Sequence, residues 1–237
     1  MYTIVVLTDL SRGCDDTLRL AGWLARSNDA GLHVVCPMDV IGRPLREMLQ
    51  PLQSGMWTRA EAELREQIRN TLGEGRCDFR LDARDSARAA IEAARDAQAD
   101  LVVLTASESL VGRRTAIDRA RRVAHGARVA VLVVADPHCW PPQRLRYESE
   151  GLDVSEVRAL AATFGMRTTA RPGGPPGSEV ELLVLGVDGV EEGDEEPSIL
   201  LDAPIALFVP LPEGRKEPPE WPAERDTGGG IAMMPPA

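Results

Sequence analysis

Cysteine and histidine are scarce in this chain and badly placed for ligand chemistry. Cys14, Cys36, Cys77 and Cys139 are spread over 237 residues with no C-x-x-C pair, and His33, His125 and His138 form no H-x-x-x-H pattern. Disulfide frameworks and zinc sites both need ordered spacings, so the thiols read as reduced and mostly buried. His138-Cys139 is the one adjacent soft-ligand pair, and two ligands without a third leave the metal assignment at none. Aromatic residues make up only 4% of the chain. The longest apolar runs, such as Leu101–Leu104 and Val129–Ala135, are no more than eight residues. About 20 would be needed to cross a bilayer, so membrane insertion is not expected. The opening residues Met1-Tyr2-Thr3-Ile4-Val5-Val6-Leu7 carry neither a basic n-region nor a small-residue cleavage site, which predicts a cytoplasmic protein.

A basic excess is also missing. The formal net charge is −10, and its distribution is uneven. Residues 1–137 hold 19 arginines against 19 acids, whereas residues 138–237 hold 18 acids against 8 bases. Nucleic-acid binders present a basic face that releases counterions from phosphates, and no such partner is expected here. Arg19, Arg26, Arg65, Arg69, Arg84, Arg88 and Arg95 alternate with acids at helical spacing and read as solvated faces.

What is present is an alternation of two periodicities. Thr3–Leu7, Gly31–Cys36, Asp100–Leu104 and Arg128–Ala135 are short apolar runs, and Cys77–Leu81 alternates as an edge strand does. Between them lie stretches with helical spacing: Asp15–Ser27, Thr58–Leu72, Asp85–Ala97 and Thr115–Ala124. Continuous apolar strands are buried on both faces, so the pattern predicts an α/β fold, an open parallel five-stranded sheet with helices on both faces. Right-handed crossovers then give three layers.

The remainder reads as a smaller partial α/β repeat. Pro137, Pro141 and Pro142 mark a boundary, so domains are assigned as 1–137, a linker over 138–151, a degenerate second repeat over 152–212 and a disordered tail over 213–237. Asp153–Phe164 is expected as a helix, Arg167–Ala170 as a strand, and Arg171–Gly177 as loop. Glu181–Gly186 and Ala206–Val209 echo Asp100–Leu104 and the closing run of the first part. No equivalents of the first strand or third helix are evident in the second part.

Val5-Val6-Leu7-Thr8-Asp9-Leu10-Ser11, followed by a helix and then Leu32-His33-Val34-Val35, resembles the opening of universal stress protein (UspA-like) domains. Asp85–Ala94 running into Ala99–Leu104, and His125–Val134, resemble the later elements of the same domain. The resemblance covers residues 1–137 and, more faintly, 150–210, as in tandem members. It implies a strand order of 3-2-1-4-5, dimerisation through the last strand and, in many members, ATP held at the ends of strands 1 and 4.

ATP-binding members carry G-x-x-G-x9-G-[ST] after strand 4, where bare backbone and a helix N-terminus meet the phosphates. Here Glu108 and Val111 stand in the first two glycine positions, and Ala116-Ile117 or Ile117-Asp118 replace the closing pair. Pro37 falls where the family uses a backbone amide against adenine, and proline has none. Asp9 keeps the nucleoside-contacting position beside Thr8, and Gly112, Arg113 and Arg114 complete a residual adenine-nucleotide site. In the second part Gly186 and Gly189 keep the glycine spacing, but five acids follow in seven residues and make the stretch hostile to phosphate. Those acids lack the D-x-[DN]-x-[DN]-G order of a calcium loop and read as a solvated acidic loop.

Ser11-Arg12-Gly13-Cys14-Asp15-Asp16 superficially resembles the S-G-G-x-D-S loop of ATP pyrophosphatases, but Arg12 and Asp16 break it where backbone approach and the hydroxyl matter. No G-x-S-x-G elbow is present. The expected function is therefore a non-enzymatic regulatory or partner-binding protein with an eroded nucleotide site. It needs no cofactor and has no catalytic residues, and it acts through a protein partner or by self-association as a dimer or internal pseudo-dimer. The alternative is a stress switch that binds ATP or another adenosine nucleotide.

Overall fold

The computed structural model describes residues 2–38, 50–73, 77–106, 109–136, 144–147, 170–172, 181–187 and 203–210. The first part follows β1 (Thr3–Leu7), α1 (Gly13–Ser27), β2 (Gly31–Pro37), α2 (Gln50–Leu72), β3 (Asp78–Asp82), α3 (Ser86–Asp96), β4 (Leu101–Thr105), α4 (Leu110–Ala127) and β5 (Ala130–Val134). Four further strands come after it: β6 (Arg144–Tyr147), β7 (Ala170–Pro172), β8 (Glu181–Val187) and β9 (Ile205–Pro210).

All nine strands join one sheet in the order β3-β2-β1-β4-β5-β9-β8-β6-β7. The first five are mutually parallel, in the 3-2-1-4-5 order. Side chains of successive strand residues point to opposite faces, and here both faces are covered. Ile4, Val6, Leu101, Val103 and Leu132 pack with Leu18 and Leu24 of α1 and with Leu64 and Ile68 of α2. Val5, Leu7, Val102, Val131 and Val133 pack on the other side with Ala89, Ala90 and Ala93 of α3 and Ala120 and Val123 of α4.

Local sequence sets the helix starts. Asp85 caps α3 by accepting the Arg88 N–H, and Ser109 caps α4 by accepting the Gly112 N–H, each at 3.1 Å. At the other end of α4, Arg128 takes the left-handed conformation (φ 55°) and closes the helix.

The sheet does not stop at β5. Its outer edge pairs antiparallel with β9, with Leu132 opposite Leu207 and Val133 opposite Ala206. Beyond that junction β9-β8-β6-β7 are parallel to one another. Read outward from the junction, β9, β8, β6 and β7 hold the places that β5, β4, β1 and β2 hold on the other side.

Several boundaries differ from the sequence reading. The 138–151 stretch assigned to linker contains strand β6, which fills the first-strand position that the sequence left without an equivalent. Arg144-Leu145-Arg146-Tyr147 offers no continuous apolar run, so nothing in its composition marks it as a strand between two others. Arg171 and Pro172 are in β7 rather than in a loop, and β7 is the last strand of the sheet, where a missing N–H is tolerated. Helix α4 begins at Leu110, five residues before its apolar periodicity does, and α2 begins at Gln50. The helix expected over Asp153–Phe164 and the tail over 213–237 lie outside the described residues.

Leu132 and Leu207 are both fully buried in the same continuous cluster. Truncating either to alanine is expected to cost about 3 kcal/mol, in a single unfolding transition seen by chemical denaturation. Two separate transitions would mean that the two sides of the sheet do not share a core.

Candidate functional site

The crevice at the carboxyl ends of β1 and β4 is where an open α/β sheet of this order offers a binding site. The chain leaves β1 through Thr8, Asp9 and Leu10 before α1 begins at Gly13. Thr8 is 2% exposed. Its N–H donates to the Val35 carbonyl, and its hydroxyl donates to Gln67 Oε1 at 2.9 Å while accepting the Leu10 N–H at 3.2 Å. Leu10 adopts φ 65°, a left-handed conformation costly for a side chain with a Cβ, and it packs against the core under α1 and α2.

Asp9 is exposed, yet its carboxylate is engaged. Oδ1 accepts the Ser11 N–H at 2.9 Å and the Cys14 thiol at 3.1 Å. Desolvation pushes the Asp9 carboxyl up, but the hydrogen bonds from Ser11 and Cys14 outweigh it, and the net pKa lies below the ordinary value. Burial pushes the Cys14 thiol up, and it pushes Cys36 up to about 11, with Asp9 and Cys14 adding to the effect. Both buried thiols are therefore poor nucleophiles at neutral pH.

Gln67 was not singled out by the sequence, where it is one polar residue on an amphipathic helix. It reaches from α2 to close the loop: besides Thr8, its Nε2 donates to Asp15 Oδ1 at 2.8 Å and to the Ser11 carbonyl at 3.2 Å. One side chain thus ties β1, the following loop and the first turn of α1 together.

On the β4 side, Gly112, Arg113 and Arg114 are in the first turn and a half of α4 and not in a loop. The Gly112 N–H is taken by Ser109 Oγ and the Arg113 N–H by the Ser109 carbonyl. Val111, aligned with a family glycine, is 74% exposed on this helix, and Glu108 lies outside the described residues. No hydrogen bond or ion pair joins Thr8 or Asp9 to Gly112 or Arg114 among the described residues. Thr8 and Asp9 at the end of β1 and Gly112 and Arg114 on α4 are thus two separate groups.

A second residue missed by the sequence reading is Arg119 of α4, partly buried. Burial and Arg122 pull its guanidinium below the usual value, while Asp9, Asp85 and Cys14 oppose that shift. Nothing in the sequence separates it from Arg121 and Arg122.

Pro37 ends β2, and the next amide, Met38 N–H, donates to the Asp82 carbonyl at 2.6 Å. The Asp82 carboxylate, 6% exposed, is held bidentately by Arg84 at 2.8 Å on each oxygen and accepts the Arg84 N–H at 3.0 Å. Those hydrogen bonds hold its pKa below the ordinary carboxylate value. A cavity of about 190 Å³ among His33, Phe79, Arg80, Ala93 and Asp96 lies at the β3 edge, away from the crevice. Among the described residues no three His, Cys, Asp or Glu side chains converge for a metal, and no helix is long and apolar enough to cross a membrane.

The family model of the universal stress proteins matches residues 1–135, and the chain belongs to that family. Among curated proteins no match is found. Solved structures agree on the fold. A universal stress protein from Pseudomonas aeruginosa UCBPP-PA14 aligns over 89% of this chain and 94% of its own, at 11% identity and a TM-score of 0.53. A functionally unknown protein from Pseudomonas aeruginosa PAO1 aligns over 89% and 93%, at 12% identity and a TM-score of 0.51. A universal stress protein solved in complex with cAMP aligns over 56% of this chain and 96% of its own, at 23% identity and a TM-score of 0.42.

Arg84→Ala leaves the buried Asp82 carboxylate with one backbone N–H and Arg80 at 3.7 Å. The expected loss is about 2 kcal/mol at pH 7 by urea denaturation. Because the folded pKa is depressed, this contribution is present above the unfolded value near 4 and disappears as pH falls through the folded one. The difference between wild type and variant should therefore shrink below about pH 4. A pH-independent difference would contradict the assignment.

Proposed function

We propose that this chain is a non-enzymatic regulatory member of the family, a full domain followed by a degenerate second copy, that works by binding a protein partner rather than by turning over a nucleotide. The observation that carries this reading is the state of the crevice: its polar groups are spent on one another. Thr8 is bound to Gln67, Asp9 to Ser11 and Cys14, and the first free amides of α4 to Ser109. A triphosphate would need several of those donors, and the segment that carries bare glycine backbone in ATP-binding relatives is here a capped helix bearing Leu110 and Val111. The matching strand places on either side of the β5–β9 junction support an internal pseudo-dimer. On that reading the dimerisation strand is already occupied within the chain, and other surfaces meet the partner.

One observation favours the alternative of an adenosine-nucleotide switch. Arg119 is a partly buried cation that feels the charges of Asp9, Asp85 and Cys14 as well as of Arg122.

Isothermal titration separates the two readings. The proposal expects no saturable heat with ATP, AMP or cAMP at millimolar concentration and no phosphate release from ATP. Saturable binding at about 100 μM or tighter, weakened at least tenfold by Arg119→Ala, would establish the switch instead.

A further inference from the structure

Helix α4 is the most basic element of the first domain. It carries Arg113, Arg114, Arg119, Arg121 and Arg122 against a single acid, Asp118. On the other helices several arginines pair with acids on their own or the adjoining turn: Arg19 with Asp16, Arg59 with Glu63, Arg65 with Glu61, and Arg95 with Glu92. Arg114 and Arg121 have no ion pair with any described residue, although both reach the surface.

The two flanks of α4 face different neighbours. Gly126 lies against Ile91, and its carbonyl accepts from Arg95, so that flank abuts α3. Positions 114 and 121, seven apart and so on one stripe, are on the opposite flank, towards β9 and β8, onto which α4 also packs.

A right-handed crossover from β8 to β9 would lie on the side of the sheet that α4 covers. Both β4–β5 and β8–β9 are adjacent parallel pairs, and such connections are right-handed in nearly every case. Because β5 and β9 run antiparallel, one pair is related to the other by a rotation about the sheet normal. Right-handed crossovers on the two pairs then lie over the same face. Leu183, Leu185, Val187, Ala206 and Phe208 share the cluster with the buried face of α4, and Ala203, where the connection returns, packs on that same cluster.

The connecting residues 188–202 contain Asp188, Glu191, Glu192, Asp194, Glu195, Glu196 and Asp202, and no base. We propose that the Arg114–Arg121 flank of α4 is the docking surface for this acidic stretch of the same chain. The contact is electrostatic, ties the second part to the first and occupies the helix's cationic face in cis. It rests on topology and charge, and stands or falls separately from the reading of the nucleotide crevice.

Zero-length carbodiimide coupling of the full chain tests it, since Lys216 is the only native lysine. In Arg121→Lys, a conservative change, intrachain coupling from position 121 to residues 188–196 is expected by peptide mass spectrometry. It should fall at least threefold in about 0.5 M salt. Coupling to Asp118 alone, or only between chains, overturns the proposal, the latter assigning the flank to a second copy. As a second readout, Arg114→Glu with Arg121→Glu should raise cleavage by a glutamate-specific protease within 191–196 about tenfold, with unchanged circular dichroism. An unchanged cleavage rate would equally overturn it.

Discussion

The antiparallel pairing of β5 with β9 is the constraint on which the rest of the architecture depends. A parallel sheet buried on both faces ends in an apolar strand whose outer edge exposes unpaired N–H and C=O groups, a template for association. Ala130–Val134 is such a strand, with every residue buried. Pairing it to Ile205–Pro210 of the same chain satisfies that edge and makes one apolar layer continuous from Ile4 to Leu207. It also moves the sheet's free edges out to β3 and β7, where charge and proline make further strand addition less favourable.

The same junction gives the charge imbalance a structural setting. The first part is neutral overall, and its most basic helix, α4, packs next to the junction. The second part holds the entire negative excess, and seven of its acids fall in the sequence between β8 and β9. On the proposed docking, opposite charges meet along one seam. Surface ion pairs contribute little singly, so the proposed docking would act through several of them together.

Legibility followed burial. β1, β2, β4 and β5 were readable because strands covered on both faces are continuous apolar runs, and α3 was readable from its alanine-rich helical spacing. β6 was not, because Arg-Leu-Arg-Tyr is apolar only at alternate positions. The first turn and a half of α4 was missed because Leu110-Val111-Gly112-Arg113-Arg114 has no apolar stripe. The available clue was Ser109, placed three residues before Gly112. At the crevice, Thr8 and Asp9 could be found from the family resemblance. Gln67 and Arg119 could not, since their roles come from tertiary neighbours distant in sequence, 52 to 59 residues away for Gln67.

The central claim is that the chain completes its own sheet across β5. Light scattering coupled to size exclusion, over a wide range of concentration, tests it most directly. A constant mass matching 25.7 kDa is the predicted result. A dimer that Val133→Arg converts to monomer would contradict it, because β5 would then be the edge at which two chains meet.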